Sequence, residues 1–139
     1  MVTEHDDIEA IKQLKARYFR FLDTKEWVAL QQLFVDDATV DMRTEGGKET
    51  RTAAAFIETL QSNLEGVTTV HHGHTPEIEL TSSNTASGIW AMEDELWWPE
   101  GAPLRHMHGF GHYHETYRSV DGRWRIAGMT LTRLHRQLE

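Results

Sequence analysis

The feature that most constrains this chain is a change of hydrophobic period near its middle. Before Gly66, apolar residues recur at three- and four-residue steps, the spacing of helices that bury one face. From Val67 onward, β-branched and aromatic residues dominate and turn signals interrupt them, which is the texture of strands. A chain of 139 residues is one domain by length, so residues 1–139 are read as a single unit whose halves share a core. Helices followed by consecutive long strands give an α+β fold with the helices gathered on one face of an antiparallel sheet.

Within the first half, Thr3 and Asp6 have the spacing of a capping box, with Asp in place of the usual Glu or Gln. Ile8, Ile11, Leu14, Tyr18, Phe21 and Leu22 then form one stripe, with Lys12, Lys15, Arg17 and Arg20 expected off it. The helix should break near Asp23-Thr24, either of which can cap a shorter helix carrying Trp27, Leu30, Leu33 and Phe34 and closed by Asp36-Asp37. A strand over Ala38 to Met42, a turn at Glu45-Gly46-Gly47-Lys48, and a third helix begun by Thr50 or Thr52 and ended by Gly66 complete this half. The second half predicts strands at about Thr68 to Leu80, Ala86 to Trp98, Arg105 to Ser119 and Arg123 to Leu134. Such long strands imply a bent sheet that curls around the helices and leaves a cavity.

Composition narrows the function classes. The formal net charge is −8, and the chain has no basic stripe of the kind that nucleic-acid binding requires. Cysteine is absent, which removes disulfides, zinc knuckles and thiol nucleophiles. The N-terminus is acidic and polar, unlike a signal peptide, and no apolar run approaches the roughly 20 residues needed to span a bilayer. A cytoplasmic protein that handles small molecules, without nucleic-acid or membrane partners, is the expectation.

Three of the nine histidines fall in Val70-His71-His72-Gly73-His74-Thr75-Pro76-Glu77, at the change of period. Successive side chains of a strand point to opposite faces, so His71 and His72 meet different surroundings. The reading adopted is that His71 faces inward as a proton-transfer base and Asp23, at the end of the first helix, is its partner. Histidine titrates near about 6.5, which suits a general base without large tuning. A carboxylate on one ring nitrogen would fix the tautomer and stabilise the imidazolium once formed. The same register puts Trp90, Met92, Asp94, Leu96, Gly111 and Tyr113 on the pocket side, and Tyr18 can reach in from the first helix. Each has a plainer alternative: helix capping for Asp23, a hydrogen-bonded core position for His71, core packing for the tyrosines.

The run Ile11-Leu14-Arg17-Tyr18-Phe21-Leu22-Asp23-Thr24-Lys25-Glu26-Trp27, then Leu33-Phe34-Val35-Asp36-Asp37-Ala38, resembles the opening of the SnoaL-like branch of the nuclear-transport-factor-2-like superfamily. Tyr117-Arg118-Ser119-Val120-Asp121-Gly122-Arg123-Trp124-Arg125-Ile126 resembles its last hairpin. The resemblance implies a cone-shaped curved antiparallel sheet wrapped around three N-terminal helices. Within the branch the chain looks most like scytalone dehydratase, hexachlorocyclohexane dehydrochlorinase and bile-acid dehydratase, lyases that need no cofactor and pair an Asp ending the first helix with a His on the sheet. Asp23 and His71 match those positions, and an acidic residue on the next strand falls at or near Asp94. Met42 and Leu22 stand where scytalone dehydratase and the family carry tyrosines, so the substrate class need not be the same.

These readings lead to a lyase of dehydratase or dehydrohalogenase type, or an isomerase, acting on a small hydrophobic and cyclic molecule. Catalytic residues are expected at Asp23 and His71 and substrate contacts at Tyr18, Trp90, Met92, Asp94 and Tyr113, with no cofactor and no metal. A homo-oligomer, dimer or trimer, is expected from the superfamily. The competing readings are a non-enzymatic carrier using the same cavity and a metal-dependent enzyme. The metal reading rests on Gly66, His72, His74 and Glu79, which fit the first metal motif of cupins, although alternation turns His72 and His74 outward.

Overall fold

The computed structural model describes residues 2–45 and 50–139, so Gly46, Gly47 and Lys48 of the expected turn lie outside the described residues. Helix α1 runs Glu4–Asp23 and begins on the full capping box: the Thr3 hydroxyl accepts from the Asp6 N–H, and the Asp6 carboxylate accepts from the Thr3 N–H. Ile11, Leu14, Tyr18 and Leu22 are buried as the period requires. Lys15 departs from expectation. It lies one turn beyond Ile11 on the inner side of α1 and is fully buried.

Helix α2 is shorter than expected, Trp27–Gln31, and Glu26 rather than Asp23 or Thr24 occupies its N-cap. Strand β1 then takes Phe34–Asp41, so Phe34 and the Asp36-Asp37 pair belong to a strand. Burial explains this: Phe34 and Val35 enter the core and the two aspartates stay exposed. A 3-10 turn, Arg43–Glu45, and a two-residue strand β2, Arg51–Thr52, precede α3, Ala53–Asn63. The Thr52 hydroxyl caps α3 by accepting from Ala55 N–H, and Gly66 takes the left-handed φ of +75° two residues past the C-cap Leu64.

The four long strands are β3 (Thr68–Leu80), β4 (Thr85–Trp97), β5 (His106–Val120) and β6 (Arg123–Leu138). They form one curved, unclosed sheet in the order β2-β1-β6-β5-β4-β3, antiparallel throughout except for β1 beside β6. Register shifts between His74 and Glu77, Phe110 and Gly111, and Thr116 and Tyr117 mark where the long strands bend. Alternate residues of β4 and β5 are buried against the helices. Among the described residues, no helix is long and apolar enough to cross a membrane.

Candidate active site

Asp23 is the last residue of α1, where the negative end of the helix dipole disfavours a carboxylate. Three donors from β3 compensate. Oδ1 accepts from the Thr69 hydroxyl at 2.9 Å and lies 2.7 Å from His71 Nδ1, while Oδ2 accepts from the His71 backbone N–H at 2.8 Å. Strand β3 is at the sheet edge, so this N–H has no strand on its open side and takes the carboxylate instead. Asp23 thereby fixes both the backbone and the ring of His71.

With Asp23 accepting at Nδ1, the proton of a neutral His71 sits on Nδ1 and Nε2 keeps its lone pair. Nε2 lies 3.8 Å from Asp94 Oδ2, beyond direct hydrogen bonding, and the His71 side chain is only 9% exposed. Register explains the proximity, because His71 is the direct cross-strand neighbour of Asp94.

The Asp94 carboxylate is held by Arg133 of β6 through two parallel bonds, 2.7 Å to Oδ1 and 2.9 Å to Oδ2. The same guanidinium donates to Glu45 from Nε at 2.9 Å and from Nη2 at 2.6 Å. Burial acts to lower the pKa of Arg133, but the hydrogen bonds to Asp94 and Glu45 outweigh it and carry it above the ordinary value. The group is therefore a permanent cation between two carboxylates. Gly109 makes room for it: a Cβ there would lie 2.4 Å from Arg133 Nη1 and 2.6 Å from Asp94 Oδ1.

Tyr18 and Tyr113 are both buried and meet edge to face, with ring centroids 5.9 Å apart. The Lys15 ammonium sits 3.9 Å from one ring centroid and 3.6 Å from the other, and pairs with Glu115 at 2.6 Å. Burial, the largest cause for each, pushes both phenols above their ordinary value, so both hydroxyls keep their protons at neutral pH, and Tyr113 donates its own to Tyr18.

His71, the two tyrosines and the charged cluster of Asp94, Arg133 and Glu45 border a cavity of about 530 Å³. Its lining includes His71, Asp94, Arg133, Glu45, Tyr18 and Tyr113, and otherwise chiefly apolar side chains such as Phe56, Leu96, Trp98 and Met107. Leu22 and Met42 also line it. A larger cleft of about 700 Å³ bordered by Glu77, Ser87 and His114 contains neither member of the dyad, and chemistry rather than size selects the smaller cavity.

The structure brings together Asp23, His71, Asp94, Tyr18 and Tyr113. Trp90 and Met92, expected as substrate contacts, share the inward face but do not line this cavity. The inward face of β4 divides in two. Trp90 packs in the core, donating from Nε1 to the Tyr117 hydroxyl at 2.9 Å, and Met92 is likewise buried, whereas Asp94 and Leu96 reach the cavity.

Arg133 and Glu45 were not anticipated. Arg133 was discoverable, because alternation from Met129 and Leu131 puts it on the core face of β6, where a cation needs an acidic partner. Glu45 carried no such signal, since its role depends on a contact 88 positions away. Glu79, the carboxylate of the competing metal reading, does not join His72 and His74. It lies beyond the bulge in β3, opposite Ser87, and the carboxylate beside His72 and His74 is Glu93, on the outer face of the sheet.

The curated probable cyclase FGR4 of Gibberella zeae is 26% identical over 140 residues, covering 92% of this chain and 91% of that protein. A solved structure from Novosphingobium aromaticivorans, named provisionally as a scytalone dehydratase, superposes with a TM-score of 0.83 at 22% identity, covering 94% of this chain and 86% of that one. A type 2 hexachlorocyclohexane dehydrochlorinase superposes with a TM-score of 0.81 at 20% identity, covering 96% and 88%. At these identities the two structures establish a shared fold. The sequence profile of the SnoaL-like domain matches residues 3–130, nearly the whole length, and this chain belongs to the SnoaL-like domain family.

Proposed function

We propose that this protein is a lyase or isomerase that acts on a small hydrophobic, cyclic molecule by proton abstraction at His71, without a cofactor. The observation that carries the reading is the 2.7 Å contact between His71 Nδ1 and Asp23 Oδ1, with the other ring nitrogen left for the cavity. Nε2 takes a proton from a carbon next to an activating group, and Asp23 stabilises the imidazolium that results. Electron density then expels halide, or hydroxide that takes the proton from the His71 imidazolium and leaves as water, or it moves along the ring while His71 returns the proton to another carbon. Tyr18, which accepts from Tyr113, supplies a neutral hydroxyl donor for a developing oxyanion, and Arg133 supplies positive charge near Asp94. The names of the relatives, a cyclase, a dehydratase and a dehydrochlorinase, support small-molecule chemistry of this kind.

The test is a panel of cyclic β-hydroxy ketones, β-halo compounds and ring ketones with an unsaturated isomer, followed by chromatography. Wild-type protein is expected to convert at least one of them, and His71→Ala to lose about 100- to 10,000-fold in rate while keeping its circular dichroism spectrum. Conversion by a folded His71→Ala at the wild-type rate would refute the mechanism. Tight binding of panel members that are always recovered unchanged would make the protein a carrier.

A further inference from the structure

The outer face of the sheet holds imidazoles that the cavity chemistry leaves unused. His72 and His74 flank Gly73 on β3, and alternation turns both away from the helices. Glu93 is the direct cross-strand partner of His72. One ring nitrogen from each histidine and a carboxylate oxygen of Glu93 lie within 4.8 Å of one another. His74 Nε2 is 3.3 Å from Glu93 Oε1, and His108 Nε2 on β5 is 3.0 Å from Oε2.

We propose that His72, His74 and Glu93 form a binding site for one divalent transition-metal ion of the zinc class, on the outer face and separate from the dyad. Two neutral imidazoles and one carboxylate are a donor set suited to zinc and its neighbours, whereas calcium and magnesium require mostly oxygen. Around a tetrahedral ion with bonds of about 2.0–2.1 Å, donors stand roughly 3.3 Å apart. Closing 4.8 Å to that distance needs only side-chain rotation, because His72 and His74 are exposed, and the ladder already fixes the backbones. Ala91, opposite His74, leaves the neighbouring space free of a large side chain. His108 then orients the carboxylate from its far oxygen, and water completes the coordination.

The ion would join β3 to β4 at the residue pair adjacent to His71 and Asp94. Occupancy therefore braces the strand that presents the base and raises the melting temperature by mass action.

The experiment uses the full chain without a His tag, stripped with chelator, titrated with zinc chloride by calorimetry and with cobalt chloride by visible absorption. One zinc ion per chain and a cobalt d-d spectrum with nitrogen ligands are expected. His74→Ala and Glu93→Gln should each weaken binding about 100-fold, since three ligands share the affinity. His112→Ala, elsewhere on the same face, and His71→Ala, on the opposite face, should bind as wild type does. Circular dichroism verifies that each variant is folded, and His72→Gln replaces His74→Ala if that variant is not. Absence of stoichiometric binding, one ion per two chains, or affinity lost through His112→Ala or His71→Ala but kept in His74→Ala would each overturn the site. The outcome is independent of turnover, so failure here leaves the dyad mechanism standing.

Discussion

Single atoms decide whether His71 can be a base. Asp23 accepts from its backbone N–H and holds Nδ1, so only Nε2 can reach a guest in the cavity. Asp23→Asn preserves the shape but presents an amide that can donate to Nδ1, which favours the wrong tautomer and removes the charge that stabilises the imidazolium. We expect about a 100- to 10,000-fold loss of kcat with little change in melting temperature, read from kinetics and calorimetry on the same sample. Gly109 offers a second test at this scale. The added methyl of Gly109→Ala collides with Arg133 Nη1 and Asp94 Oδ1, and both can move only by breaking the clamp between them. Releasing a buried charge pair in this way is expected to cost about 1–3 kcal/mol of stability and to lower activity. Unchanged denaturation and kinetics in Gly109→Ala would mean that the clamp has no role in either.

At the scale of elements, the long strands depend on bends. Between Phe110 and Gly111 the pairing of β5 with β6 slips, and a Cβ at Gly111 would lie 2.0 Å from the backbone oxygen of Thr132. Backbone cannot rotate away as a side chain can, so Gly111→Ala must open the bulge. A loss of about 2–4 kcal/mol is expected in urea denaturation, larger than for Gly109→Ala. This scale also shows what a sequence can disclose. β3 falls at Thr68–Leu80 as expected, and β4 and β5 are displaced by one residue, because turn residues and alternation act locally. Phe34 was expected in the helix because the successive apolar residues Leu33-Phe34-Val35 suit a buried strand or a helix face equally, and only the pairing of Phe34 with Ile126 of β6 decides. The contact between Asp23 and His71 was legible because one partner ends a periodic helix and the other lies near the start of a strand. Glu45 was not, since the sequence does not specify a contact between a turn and a strand so far apart.

Across the whole molecule, one buried polar chain joins the helix layer to the sheet. Lys15 donates to Glu115 at 2.6 Å, the Tyr117 hydroxyl donates to the other Glu115 oxygen at 2.6 Å, and Trp90 Nε1 donates to that hydroxyl at 2.9 Å. Burial draws the Lys15 ammonium down to about 8, against the opposing attraction of Glu115. A base whose folded pKa is depressed carries a cost at neutral pH that is relieved as pH rises. Between about 8 and 10.5 the unfolded chain still holds the proton that the folded chain has released, so this residue makes the fold more stable with increasing pH across that window. Lys15→Met alone leaves Glu115 charged without its counter-ion, held only by the Tyr117 hydroxyl, and should cost about 3–5 kcal/mol. Lys15→Met with Glu115→Leu removes both charges and should recover most of that loss, because dismantling a buried pair in favour of apolar packing is often neutral or better. Urea denaturation at pH 7, 8, 9 and 10 separates the effects. The stability of wild type relative to the double variant should rise across the upper part of that range, and a flat or falling difference would mean that Lys15 does not titrate in the core as this geometry requires.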